Sequence, residues 1–299
     1  MPEASIPVLA YHSISPGAKI GPDLFEAHLQ ALTASRLPSL LPHELATSAR
    51  GYLLTFDDGY ADLWTHGFPL LKRYNIKALV FVIPSKVGGG RPRPHGQRAF
   101  AGSINQALRD SASTEAGHPA FLRWSEIAAM EASGLVTAQS HSYFHRMGWI
   151  SDTINGFHLP PSRPAHWSLS QATGGDERPG IPVYQRGSAL GHRLYFDDPG
   201  LRDHLATWAA ERIASGKAAP ADTAAFAGAN AAANAAATIR RLHDVSAAYR
   251  SKHPHGGRWE EVEEREKRSL RDIRLARDTL EAKLGGRREE LCLPWGHYD

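Results

Sequence analysis

The sequence predicts an α/β protein built on a parallel sheet, and three observations carry that prediction. Short apolar runs bounded by turn residues, such as Tyr52-Leu53-Leu54 after Gly51 and Lys77–Ile83 before Pro84, read as buried strands. Helical patterns separate the runs, and strand–helix alternation means parallel strands joined by crossovers. Polar residues able to do chemistry collect where the runs stop, and that is where sites form in parallel α/β sheets. At 299 residues the chain is long enough for one large α/β domain or two smaller ones.

In chain order, Tyr52–Leu54 runs into Thr55-Phe56-Asp57-Asp58-Gly59-Tyr60. Asp62–Tyr74 is apolar on one face and predicts a helix that Pro69 bends or divides. The strand Lys77–Ile83 leads to Gly88-Gly89-Gly90 with Arg91, Arg93 and Arg98. That stretch predicts a solvated loop, because it lacks the strand–loop–helix setting and the Lys-Ser/Thr ending of a phosphate loop. Trp124–Ser133 predicts a helix closed by Gly134, and Leu135–Ala138 the strand after it.

From about 148 to 200 the chain is rich in Pro, Gly, His and aromatic residues and predicts irregular, lid-like structure. Leu201–Ser215 and Asp222–Lys252 predict helices, the second loaded with alanine between Ala224 and Ala237. Such a face suits close helix packing, a homo-oligomer interface or a solvated hairpin equally. Arg258–Leu284 predicts a long charged helix with Leu270, Ile273, Leu280 and Leu284 on its buried side, ended by Gly285-Gly286. Leu291-Cys292-Leu293 reads as a last strand, leading into the Pro294-Trp295-Gly296 loop.

Three motifs carry chemistry. A strand interior would aim Asp57 and Asp58 apart, but a turn at Gly59 lets both face one cavity, one for a metal and one for protons. A solvated Asp-Asp-Gly turn is the plainer reading. His141 and His145, four apart in Ser140-His141-Ser142-Tyr143-Phe144-His145, can share one side of a helical turn or tight loop. Two imidazoles and a carboxylate suit zinc or another borderline ion, although in a chain with 16 histidines the pair alone says little. Pro294-Trp295-Gly296 by itself is only a strand exit.

In this order the three motifs resemble the polysaccharide deacetylases, the NodB-homology or carbohydrate esterase 4 group. That family carries Thr-Phe-Asp-Asp-Gly, then His-Ser/Thr-x-x-x-His or a near variant, then a Pro-x-Gly loop. The resemblance covers roughly residues 5–147 and 258–299 and implies a distorted, incomplete (β/α) barrel of about seven strands, with 148–257 as an insertion. It implies Asp57 as catalytic base, and Asp58, His141 and His145 as ligands of one divalent ion, zinc first, with cobalt, nickel or iron as alternatives. Tyr60, Pro294, Trp295 and Gly296 would line the acyl or sugar site. The family's usual arginine two residues before the proline is Cys292 here, which removes the expected partner of Asp57. No later Leu-x-His segment supplies a general acid. Pro7-Val8-Leu9-Ala10-Tyr11-His12-Ser13-Ile14-Ser15 resembles the opening of a circularly permuted branch that includes the poly-N-acetylglucosamine deacetylases. That likeness implies a first strand over 5–11 and His12 as the acid; a core histidine at a strand end is the alternative.

Composition narrows the partners. With 34 basic and 31 acidic residues nothing points to nucleic acid. No run of about 18 apolar residues spans a membrane, and the first twenty residues lack a signal-peptide pattern, so a cytoplasmic enzyme is expected. The single cysteine, Cys292, excludes an internal disulfide and reads as a small buried hydrophobe. Tyr195-Phe196-Asp197-Asp198-Pro199-Gly200 imitates the first motif but reads as a plain turn, and His253-Pro254-His255 as a linker. Other residues of the insertion, among them His166, Trp167, Tyr184 and His192, carry no pattern that selects them.

The expected function is metal-dependent hydrolysis of an N-acyl, foremost N-acetyl, group on an amino sugar. An amidase or deformylase acting on a non-polymer substrate is one alternative, and an inactive carbohydrate-binding relative is another. A glycosidase is excluded, because adjacent carboxylates cannot flank a bond at the roughly 5–10 Å separation it requires.

Overall fold

A computed structural model of the chain describes residues 6–100, 117–159, 167–215 and 229–296. The chain divides into two compact units, Met1–His145 with Leu270–Gly296, and Arg146–Ser269 with His297–Asp299.

A parallel sheet has both faces covered, so its strands are apolar almost throughout. In the first unit β1 (Val8–Tyr11), β2 (Leu53–Phe56), β3 (Ala78–Val82) and β4 (Val136–Ser140) pair in parallel in that order. The strand expected over 5–11 thus lies at the edge, beside β2. The register sets Tyr11 against Phe56, Phe56 against Val80, and Val82 against Ser140. His12, Asp57 and His141 therefore leave the sheet at the same end, each one residue past its strand.

Helices α1 (Pro22–Ala34), α2 (Phe68–Tyr74) and α3 (Trp124–Ala132) supply Phe25, Leu29, Leu71, Ile127 and Met130 to the core around β2 and β3. Pro69 divides the expected helix: a widened π-type turn, Leu63–Gly67, precedes α2, and Pro69 sits in the first turn of α2. There its missing N–H leaves no hydrogen bond unmade.

The sheet has four strands among the described residues, against about seven expected. Two further segments only touch it: Ser39 bridges Tyr52, and Leu291 bridges Ser140. Leu291–Leu293 is therefore a single bridge rather than a strand, held by Ser140 N–H to Glu290 C=O at 3.3 Å and Cys292 N–H to Ser140 C=O at 3.0 Å. Pro38 and Pro294, each close to a bridge, have no N–H with which to prolong the pairing.

In the second unit the expectation of irregular structure over 148–200 is corrected. β5 (Met147–His158), β6 (Ile181–Ser188), β7 (Tyr195–Phe196) and β8 (Arg258–Trp259) form an antiparallel sheet in the order β6-β5-β7-β8. Register shifts at Trp149/Ile154 and Ile154/Gly156 break the two-residue alternation that would have announced β5. A short helix, α4 (Trp167–Thr173), lies between β5 and β6. Helices α5 (Pro199–Ala214) and α6 (Ala229–Lys252) pack Leu201, Leu205, Ala209 and Leu242 with Phe157. Ala224–Gly228 and His166 lie outside the described residues.

The imitation motif is structural. Tyr195 pairs with Trp149 and Trp259, Asp197 pairs with Arg202 at 2.5 Å, and Asp198 caps α5 by accepting Gly200 N–H at 2.8 Å. His253 stacks on Tyr249 at 4.3 Å. The long helix α7 (Val262–Leu284) starts four residues later than expected, because Arg258–Trp259 is committed to β8. Arg268 on α7 pairs with the buried Glu260 at 2.6 Å, which ties the start of the helix to the second unit. Leu280 is buried as expected and Leu284 packs against the core. Leu270 and Ile273 are exposed, and Ala276 takes the buried position instead.

Gly59 is where backbone freedom matters most. Its φ is +72°, and a Cβ there would stand 2.9 Å from Val82 Cγ1, whereas Gly134, also at φ +72°, faces open space. Gly59→Ala should cost about 2–4 kcal/mol and Gly134→Ala about 1–2 kcal/mol. Thermal unfolding that gave equal losses would remove the Val82 contact from this account.

Candidate active site

The two carboxylates part at the end of β2. Asp57 N–H donates to Tyr11 C=O at 2.9 Å, prolonging the sheet by one rung. Asp58 then takes a left-handed conformation, φ +68°, and Gly59 N–H returns to Asp57 C=O at 2.9 Å. This tight turn leaves Asp57 partly open, at 15% side-chain exposure, and buries Asp58.

The histidines leave β4 in a tight loop rather than a helical turn. His141 N–H donates to Val82 C=O, and Ser142 and His145 have φ of +63° and +52°. Ser142 Oγ accepts His145 N–H at 2.9 Å, while Asp272 on α7 accepts Tyr143 N–H at 2.7 Å. Four of the six described non-glycine residues with positive φ lie in this site: Asp58, Ser142, His145 and Trp295. Such conformations cost energy and persist where surrounding contacts enforce them.

Asp58, His141 and His145 are all buried and converge. Asp58 Oδ1 lies 3.4 Å from His141 Nε2 and 3.3 Å from His145 Nε2, and the three donor atoms fall within 4.8 Å of one another. His141 Nδ1 is 2.9 Å from the Cys292 carbonyl, which fixes its N–H there and turns Nε2 inward. Trp295, left-handed at φ +61° within the Pro294–Gly296 turn, lays its ring 4.2 Å from that of His145.

Burial alone would raise the Asp58 carboxyl, but the hydrogen bond and charge of His141 and the charge of His145 outweigh it and hold Asp58 at about 2. Burial alone would lower His141, but Asp58 and the Cys292 side chain push it up to about 10. His145 is lowered to about 4, chiefly by burial. Asp57 is raised by burial, against the opposing charges of His141 and His12. Its Oδ2 lies 3.9 Å from the His12 imidazole and 4.0 Å from the Cys292 thiol. His12 stands at the mouth of the site, 61% exposed.

The donor set fits a divalent ion. Asp58 Oδ1 is buried and faces only the two imidazole Nε2 atoms, at 3.3 and 3.4 Å, an under-coordinated position that a cation would fill. Ligands about 2.0–2.2 Å from a tetrahedral ion stand about 3.3–3.6 Å apart, and the two Asp58–His separations fall in that range. Among the described residues no other such cluster of His, Cys, Asp and Glu occurs.

The structure thus brings Asp57, Asp58, His141, His145 and His12 to one place, with the Pro294-Trp295-Gly296 turn beside them. Tyr60 is buried against Phe121 at 5.3 Å, and its hydroxyl is driven far up by burial and by the adjacent Asp58. Sequence reasoning missed Asp272, which steadies the histidine loop from a helix 127 positions beyond His145. It also missed Asp62, four residues after Asp58, although the i, i+4 spacing to a carboxylate was visible.

Residues 45–155 match the family model described as polysaccharide deacetylase. YxkH of Bacillus subtilis (strain 168), a protein named for that family, is 37% identical over 95 residues. The match covers 28% of this chain and 34% of the relative, so the chain spans about a third of its length. A solved de-N-acetylase from Aggregatibacter actinomycetemcomitans superposes with a TM-score of 0.51 at 16% identity, covering 98% of this chain and 80% of that one, and shares its fold. The BpsB deacetylase domain from Bordetella bronchiseptica gives 0.47 at 19% identity, over 98% and 81%.

Because His141 is held protonated by Asp58, an ion entering the site must displace that proton. Divalent metal binding near pH 7 should release about one proton, and affinity should rise up to about tenfold per pH unit while His141 still carries it. Calorimetry in buffers of different ionisation enthalpy measures the release. Binding without proton release, or undiminished binding in His141→Ala, would contradict the assignment.

Proposed function

We propose that this chain, whose residues 45–155 match the polysaccharide deacetylase family model, is a metal-dependent hydrolase that removes an N-acetyl group from an amino sugar of a glycan. The observation that carries this reading is the convergence of Asp58, His141 and His145 beside a second, more open carboxylate, Asp57.

Asp58, His141 and His145 would hold the ion, zinc by the character of the donors. When bound, it would polarise the acyl carbonyl and acidify water. The protein's own groups account for the proton traffic. Asp57, raised by burial, takes a proton from the attacking water as its oxygen bonds to the carbonyl carbon. A backbone N–H near Tyr60 would face the developing oxyanion, since Gly59 N–H is spent on Asp57 C=O. The carbon–nitrogen bond then breaks, and His12 gives its proton to the departing amine, leaving acetic acid and a free amino sugar. Trp295, braced on His145, and Pro294 and Gly296 beside it would wall the acyl group, with Tyr60 behind the carboxylates.

The test is a screen for acid released from N-acetyl and N-formyl sugars, with and without zinc, cobalt or nickel. Asp57→Asn should abolish turnover and keep the metal, and His12→Ala should lower kcat by about 10²–10⁴. An inactive wild type that binds one of these sugars tightly would favour a carbohydrate-binding relative, a reading that Cys292 beside Asp57 supports. Cys292→Arg should place a cation near Asp57 and lower its pKa, so the acid limb of the pH–rate profile moves to lower pH. An unmoved limb would separate Asp57 from that ionisation.

A further inference from the structure

Asp62 is a buried carboxylate that the reaction above does not use. It lies at the start of the π-type turn, on the same chain segment as Asp57 and Asp58. Its Oδ2 accepts two hydrogen bonds from the strap that follows β1, from Ser13 Oγ at 2.5 Å and from Ile14 N–H at 3.0 Å. Ser15 Oγ adds a contact to Ser13 Oγ at 3.0 Å. Ile14 is fully buried, and a Cβ on Gly67 would stand 2.6 Å from Ile14 Cδ1, so the strap is seated in the π-type turn. No lysine or arginine pairs with Asp62 among the described residues, and its Oδ1 has no hydrogen-bond partner. A buried carboxyl spent on two strap contacts is costly for mere loop closure. The strap begins at His12, and Asp62 follows the Asp57–Gly59 turn by three residues, so its clamp bears on the two segments that set His12 3.9 Å from Asp57.

We propose that Asp62 is a positioning residue that holds His12 against Asp57, coupling the proton donor to the base. The inference rests on His12 acting as the acid. In the full chain with metal, Asp62→Ala should lower kcat by about 10²-fold with KM changed less than about threefold. Added to His12→Ala it should lower kcat no further, because both remove one function. Asp62→Asn, whose amide oxygen can accept both strap hydrogen bonds, should restore activity to within about fivefold. Independently of turnover, the His12 ring resonances should shift on Asp57→Asn, and Asp62→Ala should abolish that response. If Asp62→Ala fails to fold or loses metal, Ser13→Ala, which removes the 2.5 Å bond, takes its place in both arms. Additive losses in the double variant, or an unchanged resonance response, would overturn the inference. A wild type inactive on every N-acyl sugar would remove the proposed reaction while the resonance arm still decides the positioning role.

Discussion

Asp58 is a carboxylate taken out of water at the end of a buried strand, and it must be met by positive charge or protonated. Two buried imidazoles meet it on one side. A proton on His141, whose pKa Asp58 raises, is one way to balance the charge; a divalent ion would be another. The rest of the site follows from this one demand. The Cys292 carbonyl presents the correct nitrogen of His141, Trp295 packs against His145, and Asp57 is kept outside the cluster.

Meeting that demand needs backbone that ordinary residues avoid. Left-handed residues at Asp58, Ser142, His145 and Trp295 bring side chains from the ends of β2 and β4 and from the closing turn onto one point. The sheet offsets the strain by holding both strand ends at fixed register, Phe56 against Val80 and Val82 against Ser140. Buried acceptors then lock the loops from outside: Asp272 under the histidine loop, and Asp62 under the strap beyond β1. Such concentrated strain, over-determined by its surroundings, is the usual state of a working site.

The second unit solves a different problem. Its antiparallel sheet buries the aromatic cluster of Trp149, Tyr184 and Tyr195, with Trp259 packed against it. The Glu260–Arg268 pair fastens the first turns of α7 to β8. Along α7, Arg268 belongs to the antiparallel unit, whereas Asp272 and Leu280 belong to the parallel one.

The parallel strands were legible because a strand covered on both faces must be mostly apolar, and Tyr52–Leu54, Ala78–Ile83 and Leu135–Ala138 (with Thr137 the one exception) are. The division at Pro69 was legible because proline lacks an N–H wherever it sits. The antiparallel sheet was not, since bulges in β5 and Pro182 and Gly187 in β6 erase the alternation a half-buried strand otherwise shows. The buried side of α7 was misread because Leu270 and Ile273 have the right spacing, yet which face is covered depends on neighbours far away in sequence. By itself the sequence determined the donor types and their position at strand ends, because those are local matters of residue chemistry and turn-forming glycine. Only the tertiary structure brought Asp58 onto the histidines and left Asp57 outside, as the family resemblance implied, because that convergence rests on a left-handed turn and on the parallel pairing of strands separated by many residues.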